Sequence, residues 1–254
     1  MIIIIMKEKL HSNFGIMIDN IDVDLRSLLL EYKVVIVRGV KLTEQEYINF
    51  CHIGHIWTTD DEMKMEQKYQ IGQYKELVAI SNHHGALGSM ELLWHADGSH
   101  HPTKPYPIRC LYGAKIPSNT SATTFADMGL GLSRLSVEWK QKIETLKAIH
   151  RPTYNVGWND IKVVRPFIRN HPVTNEQSLS LDNHFTVEID GMDPIMGKII
   201  IDDLVKMATS CDNTITHQWE PNDIVIFDNN NTVHRRERIT HDEERLLWRI
   251  TMDY

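Results

Sequence analysis

Cysteine is scarce in this chain. Three are present among 254 residues, Cys51, Cys110 and Cys211. No two stand in a C-x-x-C spacing, which sets aside zinc ribbons and thioredoxin-like redox motifs. An odd count without a framework fits a reducing compartment. Long hydrophobic runs are also missing. The apolar start, residues 1–6, is far too short to span a bilayer. No basic segment precedes it and no small-residue cleavage site follows it. It reads as an edge strand, with Met6 an alternative start. The chain is therefore expected to be cytoplasmic and to have no membrane partner. Basic charge is in deficit as well: 27 Lys and Arg against 34 Asp and Glu give a formal net charge of −7. Nucleic-acid binding requires a positive footprint, and this is its opposite. No repeat, low-complexity tract or linker interrupts the sequence, so residues 1–254 read as a single domain.

What is present is a succession of short strand patterns with a few helices. Residues 25–32 carry apolar side chains at helical spacing and lead into Val34-Val35-Ile36-Val37, a β-branched run expected to be a buried strand. Thr43 and Glu46 form a capping box that should start a helix reaching about Ile53. Residues 59–77 are polar and without period, and read as a surface loop that acts as a lid. Strands are expected at 78–81, 107–116, 123–126, 224–227 and 246–252. Two more short ones are expected within 163–189, with Asn183 and His184 on a strand. Helical patterns cover 130–146 and 195–209. This order favours an antiparallel sandwich or jelly roll, mainly β with flanking helices, over a doubly wound sheet.

Trp94-His95-Ala96-Asp97 is the sharpest local signal. Side chains alternate along an extended segment, so His95 and Asp97 point the same way and can share a metal. Alone, an HxD among 14 histidines is weak evidence. His234 adds weight, because a buried strand and the polar run 229–231 deliver it to a strand end. Two histidines and one carboxylate on one face of an octahedron form the usual site of non-haem iron(II) oxygenases. Arg245 and Arg249 are four apart and so share one face of the last strand, amid Leu246, Leu247, Trp248 and Ile250. Arginines on an inner face call for anions, and a guanidinium clamps a carboxylate bidentately. His83, His84, His100 and His101 read as loop histidines, and Trp94 as a packing residue.

These motifs occur in one order along nearly the whole chain. The order runs from Gly15-Ile-Met-Ile-Asp through Trp94-His-Ala-Asp-Gly-Ser, Thr123-Thr-Phe-Ala-Asp and His171-Pro-Val-Thr to Trp219-Glu-Pro-Asn-Asp and the His234, Arg245, Arg249 series. In this the sequence resembles the taurine dioxygenase / 2,4-dichlorophenoxyacetate dioxygenase (TauD/TfdA) family. The resemblance implies a double-stranded β-helix, the clavaminate synthase-like jelly roll. It implies Fe(II) held by His95, Asp97 and His234, with 2-oxoglutarate as co-substrate. Arg245 and Thr123 would grip the distal carboxylate, and Arg249 would serve the metal-bound end of the cofactor or the substrate. The implied reaction takes O2 and 2-oxoglutarate to succinate and carbon dioxide while hydroxylating a small organic molecule, with fragmentation where the hydroxylated carbon bears a leaving group.

The sequence also departs from the family pattern. Thr120-Ser121-Ala122-Thr123 replaces the usual Gly-Gly-Asp-Thr, which leaves Thr124 as an alternative to Thr123. Glu91 stands where taurine enzymes place a substrate-contacting asparagine, which turns the expectation away from taurine. Arg249, a second arginine on the face of Arg245 and in need of its own anion, points to a small anionic or zwitterionic substrate. Two other readings stay open: a non-catalytic 2-oxoglutarate and metal sensor on the same fold, and a jelly-roll enzyme using zinc or manganese. The oligomeric state, a homo-oligomer included, is open too.

Overall fold

The computed structural model describes residues 7–58, 60–61, 67–152 and 161–254. Among these, eighteen strands and five α-helices follow one another. The strands are β1 (Lys7–Lys9), β2 (Ile16–Ile18), β3 (Val34–Val37), β4 (Gln70–Ile71), β5 (Tyr74–Ser81), β6 (Ala86–Leu87), β7 (Leu92–His95), β8 (Ile108–Lys115) and β9 (Thr123–Asp127). They continue with β10 (Lys147–His150), β11 (Val163–Pro166), β12 (Ile168–Asn170), β13 (Gln177–Leu179), β14 (Thr186–Ile189), β15 (Thr214–His217), β16 (Ile224–Asp228), β17 (Thr232–Arg236) and β18 (Leu246–Met252). The helices are α1 (Leu25–Tyr32), α2 (Glu44–Phe50), α3 (Met128–Arg134), α4 (Val137–Ile143) and α5 (Pro194–Ala208).

A large sheet runs β1-β2-β3-β16-β8-β18-β5-β4, with β6 added to β5. A small sheet runs β15-β9-β17-β7. Period-2 alternation decides what each face meets. On β16, Ile224 and Ile226 turn outward to a core shared with α1 and α2, among them Leu28, Leu29, Tyr47 and Ile48. Val225 and Phe227 turn inward, where they join Phe125 of β9, Ile215 of β15, Trp219 and Leu247. That inner core lies between the two sheets. A third core, on the far side of the small sheet, packs Ala126 and Val233 against Leu132, Ile201, Leu204 and Val205 of α3 and α5. Two mostly antiparallel sheets face to face, with parallel pairs only at β2–β3 and β5–β6 among the described residues, and helices outside give the jelly roll expected from the pattern. No helix of the described residues is long and apolar enough to cross a membrane.

Local chemistry sets most boundaries. The Asp24 carboxylate accepts from the Ser27 N–H at the start of α1, and the Thr43–Glu46 capping box opens α2 with both of its hydrogen bonds made. Helix α2 stops at Phe50 with Cys51 as its cap, short of the expected Ile53. The single helical stretch expected over 130–146 is two helices, because Leu135 is extended and Ser136 caps α4 by accepting from the Trp139 N–H. Residues 163–189 hold four strands rather than two. The loop expected over 59–77 is cut short by β4 and by the start of β5, where Leu77 is fully buried. Residue 59 and residues 62–66 of that loop, like the strand expected at residues 1–6, lie outside the described residues.

Candidate active site

Strands β7 and β17 pair antiparallel with His95 directly opposite His234. Cross-strand partners stand close enough to touch, and the two imidazole centroids are 4.1 Å apart. Asp97 follows β7 by two residues and turns its carboxylate to the same point: Oδ1 is 3.4 Å from His95 Nε2 and 3.8 Å from His234 Nε2. One ligand atom from each of the three lies within 4.8 Å of the others. Metal–nitrogen and metal–oxygen bonds of about 2.1 Å at right angles would space such donors by roughly 3 Å, so the cluster is close to what one ion requires. The donor set, two imidazoles and one carboxylate, is that of the facial sites of non-haem iron.

The surroundings fix each donor. His95 Nδ1 lies 2.7 Å from the Leu93 carbonyl. A carbonyl only accepts, so Nδ1 carries the proton and Nε2 offers its lone pair to the centre. Asp97 Oδ2 accepts from Arg109 Nε at 2.8 Å, which leaves Oδ1 for the centre. Burial alone would raise the Asp97 carboxyl. The Arg109 charge, with His95 and His234, outweighs it and holds that carboxyl well below the ordinary range. Arg109 is itself held by Thr251, its neighbour across β8 and β18, and lies 3.8 Å over the Tyr106 ring. Asn229 locks the backbone around Asp97: its Oδ1 accepts from the Asp97 N–H, and its Nδ2 donates to the Asp97 and Tyr106 carbonyls. His234 is pushed down to about 3, first by burial and then by the neighbouring His95. It is neutral, as a ligand must be.

Behind the trio is a cavity of about 40 Å³ lined by Asp97, Thr123, His234, Arg236, Arg245, Leu247 and Arg249 among others. Arg245 and Arg249 are 1% and 4% exposed, so the last strand does turn two arginines inward. Arg245 lies just before β18 with its guanidinium 5.6 Å over the Trp219 ring, and its buried Nε has no hydrogen-bond partner. Burial, then the nearby Arg236 charge, pushes Arg245 down to about 9, and it remains a cation at neutral pH. Thr123 is buried and its hydroxyl accepts from Trp219 Nε1 at 2.9 Å. That contact frees the hydroxyl hydrogen to donate into the cavity. Thr124 points the other way and shares a hydrogen bond with Thr216, so Thr123 is the threonine at this cavity. A buried cation without a carboxylate partner among the described residues, beside a donor hydroxyl, fits a carboxylate ligand.

On the other side, the trio meets a narrow cleft lined by Leu87, Leu92, His100, Tyr106, His184, Phe185 and Arg249. His184 precedes β14, in a bend rather than the expected strand, and its ring is 5.5 Å from that of His95. The bend is organised by Asp182, whose Oδ1 accepts from the N–H groups of His184, Phe185 and Thr186. His100 and His101 are loop residues but buried, whereas His83 and His84 are exposed. Trp94 packs in the outer core of the small sheet.

Sequence reasoning missed Arg109 and Arg236, and placed Asn229 in the polar run before His234 without its role at Asp97. The signal for Arg109 was a lone cation in the apolar strand Ile108–Tyr112, which burial makes costly unless an acid is near. The signal for Arg236 was its spacing of two from His234.

A jelly roll with two histidines and a carboxylate beside an arginine-lined cavity defines the class of 2-oxoglutarate-dependent oxygenases. Residues 14–251 match the family model described as taurine catabolism dioxygenase TauD, TfdA family. The chain belongs to that family, and it is a 2-oxoglutarate-dependent dioxygenase. Among its relatives, the (S)-phenoxypropionate/alpha-ketoglutarate-dioxygenase of Sphingobium herbicidovorans is 25% identical over 247 positions, covering 89% of this chain and 83% of the relative. The alpha-ketoglutarate-dependent 2,4-dichlorophenoxyacetate dioxygenase of Cupriavidus pinatubonensis is 24% identical, with 95% of each covered. The fold is that of AAD-2, solved with Mn(II) and N-oxalylglycine, at a TM-score of 0.83, 24% identity and 98% coverage of both chains. It is equally that of a taurine dioxygenase from Burkholderia xenovorans, at a TM-score of 0.81 and 23% identity, covering 98% of this chain and 90% of that one.

Proposed function

We propose that residues 1–254 act as one catalytic domain that hydroxylates a small organic anion, with His95, Asp97 and His234 holding Fe(II) and with Thr123 and Arg245 holding the distal carboxylate of 2-oxoglutarate. The observation that carries this reading is the placement of two buried arginines, Arg245 and Arg249, on one inner face beside the trio. Arg245 has no acid to answer its charge among the described residues, and a dianionic co-substrate supplies one. Bound iron supplies the oxygen chemistry, coupling decarboxylation of 2-oxoglutarate to hydroxylation of the substrate.

The protein's part is positional. Arg109 and Asn229 fix the Asp97 carboxylate, and the Leu93 carbonyl fixes the His95 tautomer. Trp219 orients the Thr123 hydroxyl. Arg249 lines both the rear cavity and the front cleft, a place from which it can meet an acidic group of the substrate. Named relatives act on phenoxypropionate, 2,4-dichlorophenoxyacetate and sulfate esters, all of which carry an acidic group, and this supports an anionic substrate here.

The test is an anaerobic titration of the Fe(II) protein with 2-oxoglutarate, watching the metal-to-ligand charge-transfer band. Succinate release is then screened with phenoxyalkanoates, alkyl sulfates and sulfonates. A charge-transfer band and substrate-dependent succinate above the uncoupled background are expected. No band would remove the cofactor assignment, and succinate stimulated only by cationic or neutral compounds would remove the anionic substrate.

A further inference from the structure

Arg236 is the residue of this site that the family pattern leaves without a role. It stands two residues past His234 on β17, so the strand's alternation turns both to the interior while Arg235 faces out. The register is specific. Across the β9–β17 pair, Arg236 is directly opposite Thr123, and across the β7–β17 pair it is opposite Leu92. Its side chain thus emerges beside the threonine assigned to the cofactor and lines the same cavity as Thr123, Arg245 and Arg249.

Arg236 is 5% exposed. One end of its guanidinium is engaged: Nη2 donates to the Gly88 carbonyl at 3.1 Å and to the Met90 carbonyl at 2.5 Å. The other end is not, for its Nε is buried without a hydrogen-bond partner. Two backbone carbonyls offer partial charge only. Asp97 also lines this cavity, but its carboxylate is engaged by Arg109. Among the described residues no carboxylate pairs with Arg236 or Arg245, and the Arg236 charge presses on Arg245. Burying two like charges side by side is costly, and the cost falls when an anion lies between them. A carboxylate has two oxygens and about four lone-pair sites, more than the Arg245 fork and one threonine hydroxyl fill. The pinned backbone at 88–90 also matters. It is fastened a second time by the Ile239 N–H on the Ser89 carbonyl, and it follows Leu87, which lines both the rear cavity and the front cleft.

We propose that Arg236 is a further 2-oxoglutarate-binding residue, a second cation for the distal carboxylate opposite Thr123, which also closes the cavity by tying down the backbone at Gly88 and Met90. The inference rests on the assignment of Thr123 and Arg245 to that carboxylate.

The test measures binding rather than turnover. Dissociation constants of the anaerobic Fe(II) protein are read from the charge-transfer band for two 2-oxoacids. One is 2-oxoglutarate. The other is 2-oxobutyrate, which has the same chelating end and no distal carboxylate. Arg236→Met should weaken 2-oxoglutarate about tenfold and change 2-oxobutyrate by less than about twofold. Arg236→Lys keeps the charge without the fork, and should hold 2-oxoglutarate within about threefold of the parent. Equal losses for both 2-oxoacids in Arg236→Met would reduce Arg236 to a structural staple and overturn the proposal, as would an unchanged affinity for 2-oxoglutarate. Should Arg236→Met fail to fold, Arg236→Gln, whose amide can still donate to the carbonyls, takes its place: a loss confined to 2-oxoglutarate upholds the proposal, and an unchanged affinity or equal losses for both 2-oxoacids overturn it. Arg245→Ala is measured in parallel. If it leaves 2-oxoglutarate binding unchanged, the underlying cofactor assignment fails. If it weakens binding while Arg236→Met does not, only the present inference fails.

Discussion

The two halves of the site differ in how their charges are balanced. On the metal side, Asp97 is answered by Arg109 at 2.8 Å, and Arg109 in turn is held by Thr251 and Tyr106. On the side proposed for the cofactor, Arg236 and Arg245 line one cavity whose acid, Asp97, is already engaged by Arg109, and among the described residues neither arginine has a carboxylate of its own. The first half is electrostatically complete apart from its ion. The second is built around a negative charge that must arrive with a ligand. A buried ion pair and a buried unpaired cation look alike in a burial profile, yet they respond in opposite ways when one residue is removed.

That contrast can be broken most severely at the trio. His95→Ala, Asp97→Ala and His234→Ala should each weaken Fe(II) binding by more than about 100-fold, a larger loss than residues outside the coordination shell produce. Metal titration under argon checks this, with far-UV circular dichroism to show that the fold persists. Full metal affinity in any one variant would take that residue out of the set.

Next in size is Arg109→Met. It frees Asp97 Oδ2 and should cost about 10–100-fold in metal affinity while lowering the melting temperature, because it leaves the half-buried Asp97 without its partner. Arg245→Met should do the reverse to the apo protein. Deleting an unanswered buried cation raises the melting temperature, while 2-oxoglutarate binding falls about 10–100-fold for the loss of a charged contact worth roughly 1.5–3 kcal/mol. If both variants shift the melting temperature in the same direction, the two halves are not balanced differently.

The smallest effect sharpens the comparison at the boundary. Arg249 touches both cavities, and Arg249→Lys keeps the charge but loses the planar fork. The substrate KM should rise several-fold with little change in 2-oxoglutarate affinity. The opposite split would place Arg249 with the cofactor.

Much of this was legible in the sequence because strand periodicity is a strict rule. The spacing of His95 and Asp97, and that of Arg245 and Arg249, fixes a shared face without knowledge of the partner strand. Helix α1 and strand β18 were readable to the residue, since each has an apolar pattern with a cap or a turn at its end. What sequence could not supply was register. Only the pairing of β7 with β17 sets His95 opposite His234, and only the pairing of β9 with β17 sets Thr123 rather than Thr124 on the inner face beside Arg236. Arg109 was unreadable for the same reason: its target, Asp97, comes from outside its own strand. The break between α3 and α4 was lost because Leu135 continues the helical apolar spacing while its backbone is extended.

Among the described residues, strand β7 is the last strand of the small sheet and pairs with β17 alone, through a register that slips after His234. It contributes one histidine to the trio, its neighbour contributes the other, and the two come from distant parts of the chain. An ion held by both therefore acts as a clasp on the sheet's loose edge, closing a long loop of chain much as a cross-link does. Iron held there would belong to the protein's mechanical integrity as well as to its chemistry. Its removal should appear first as faster amide exchange along residues 92–95, ahead of any loss in the large sheet, and thermal stability should climb with free metal concentration as mass action requires.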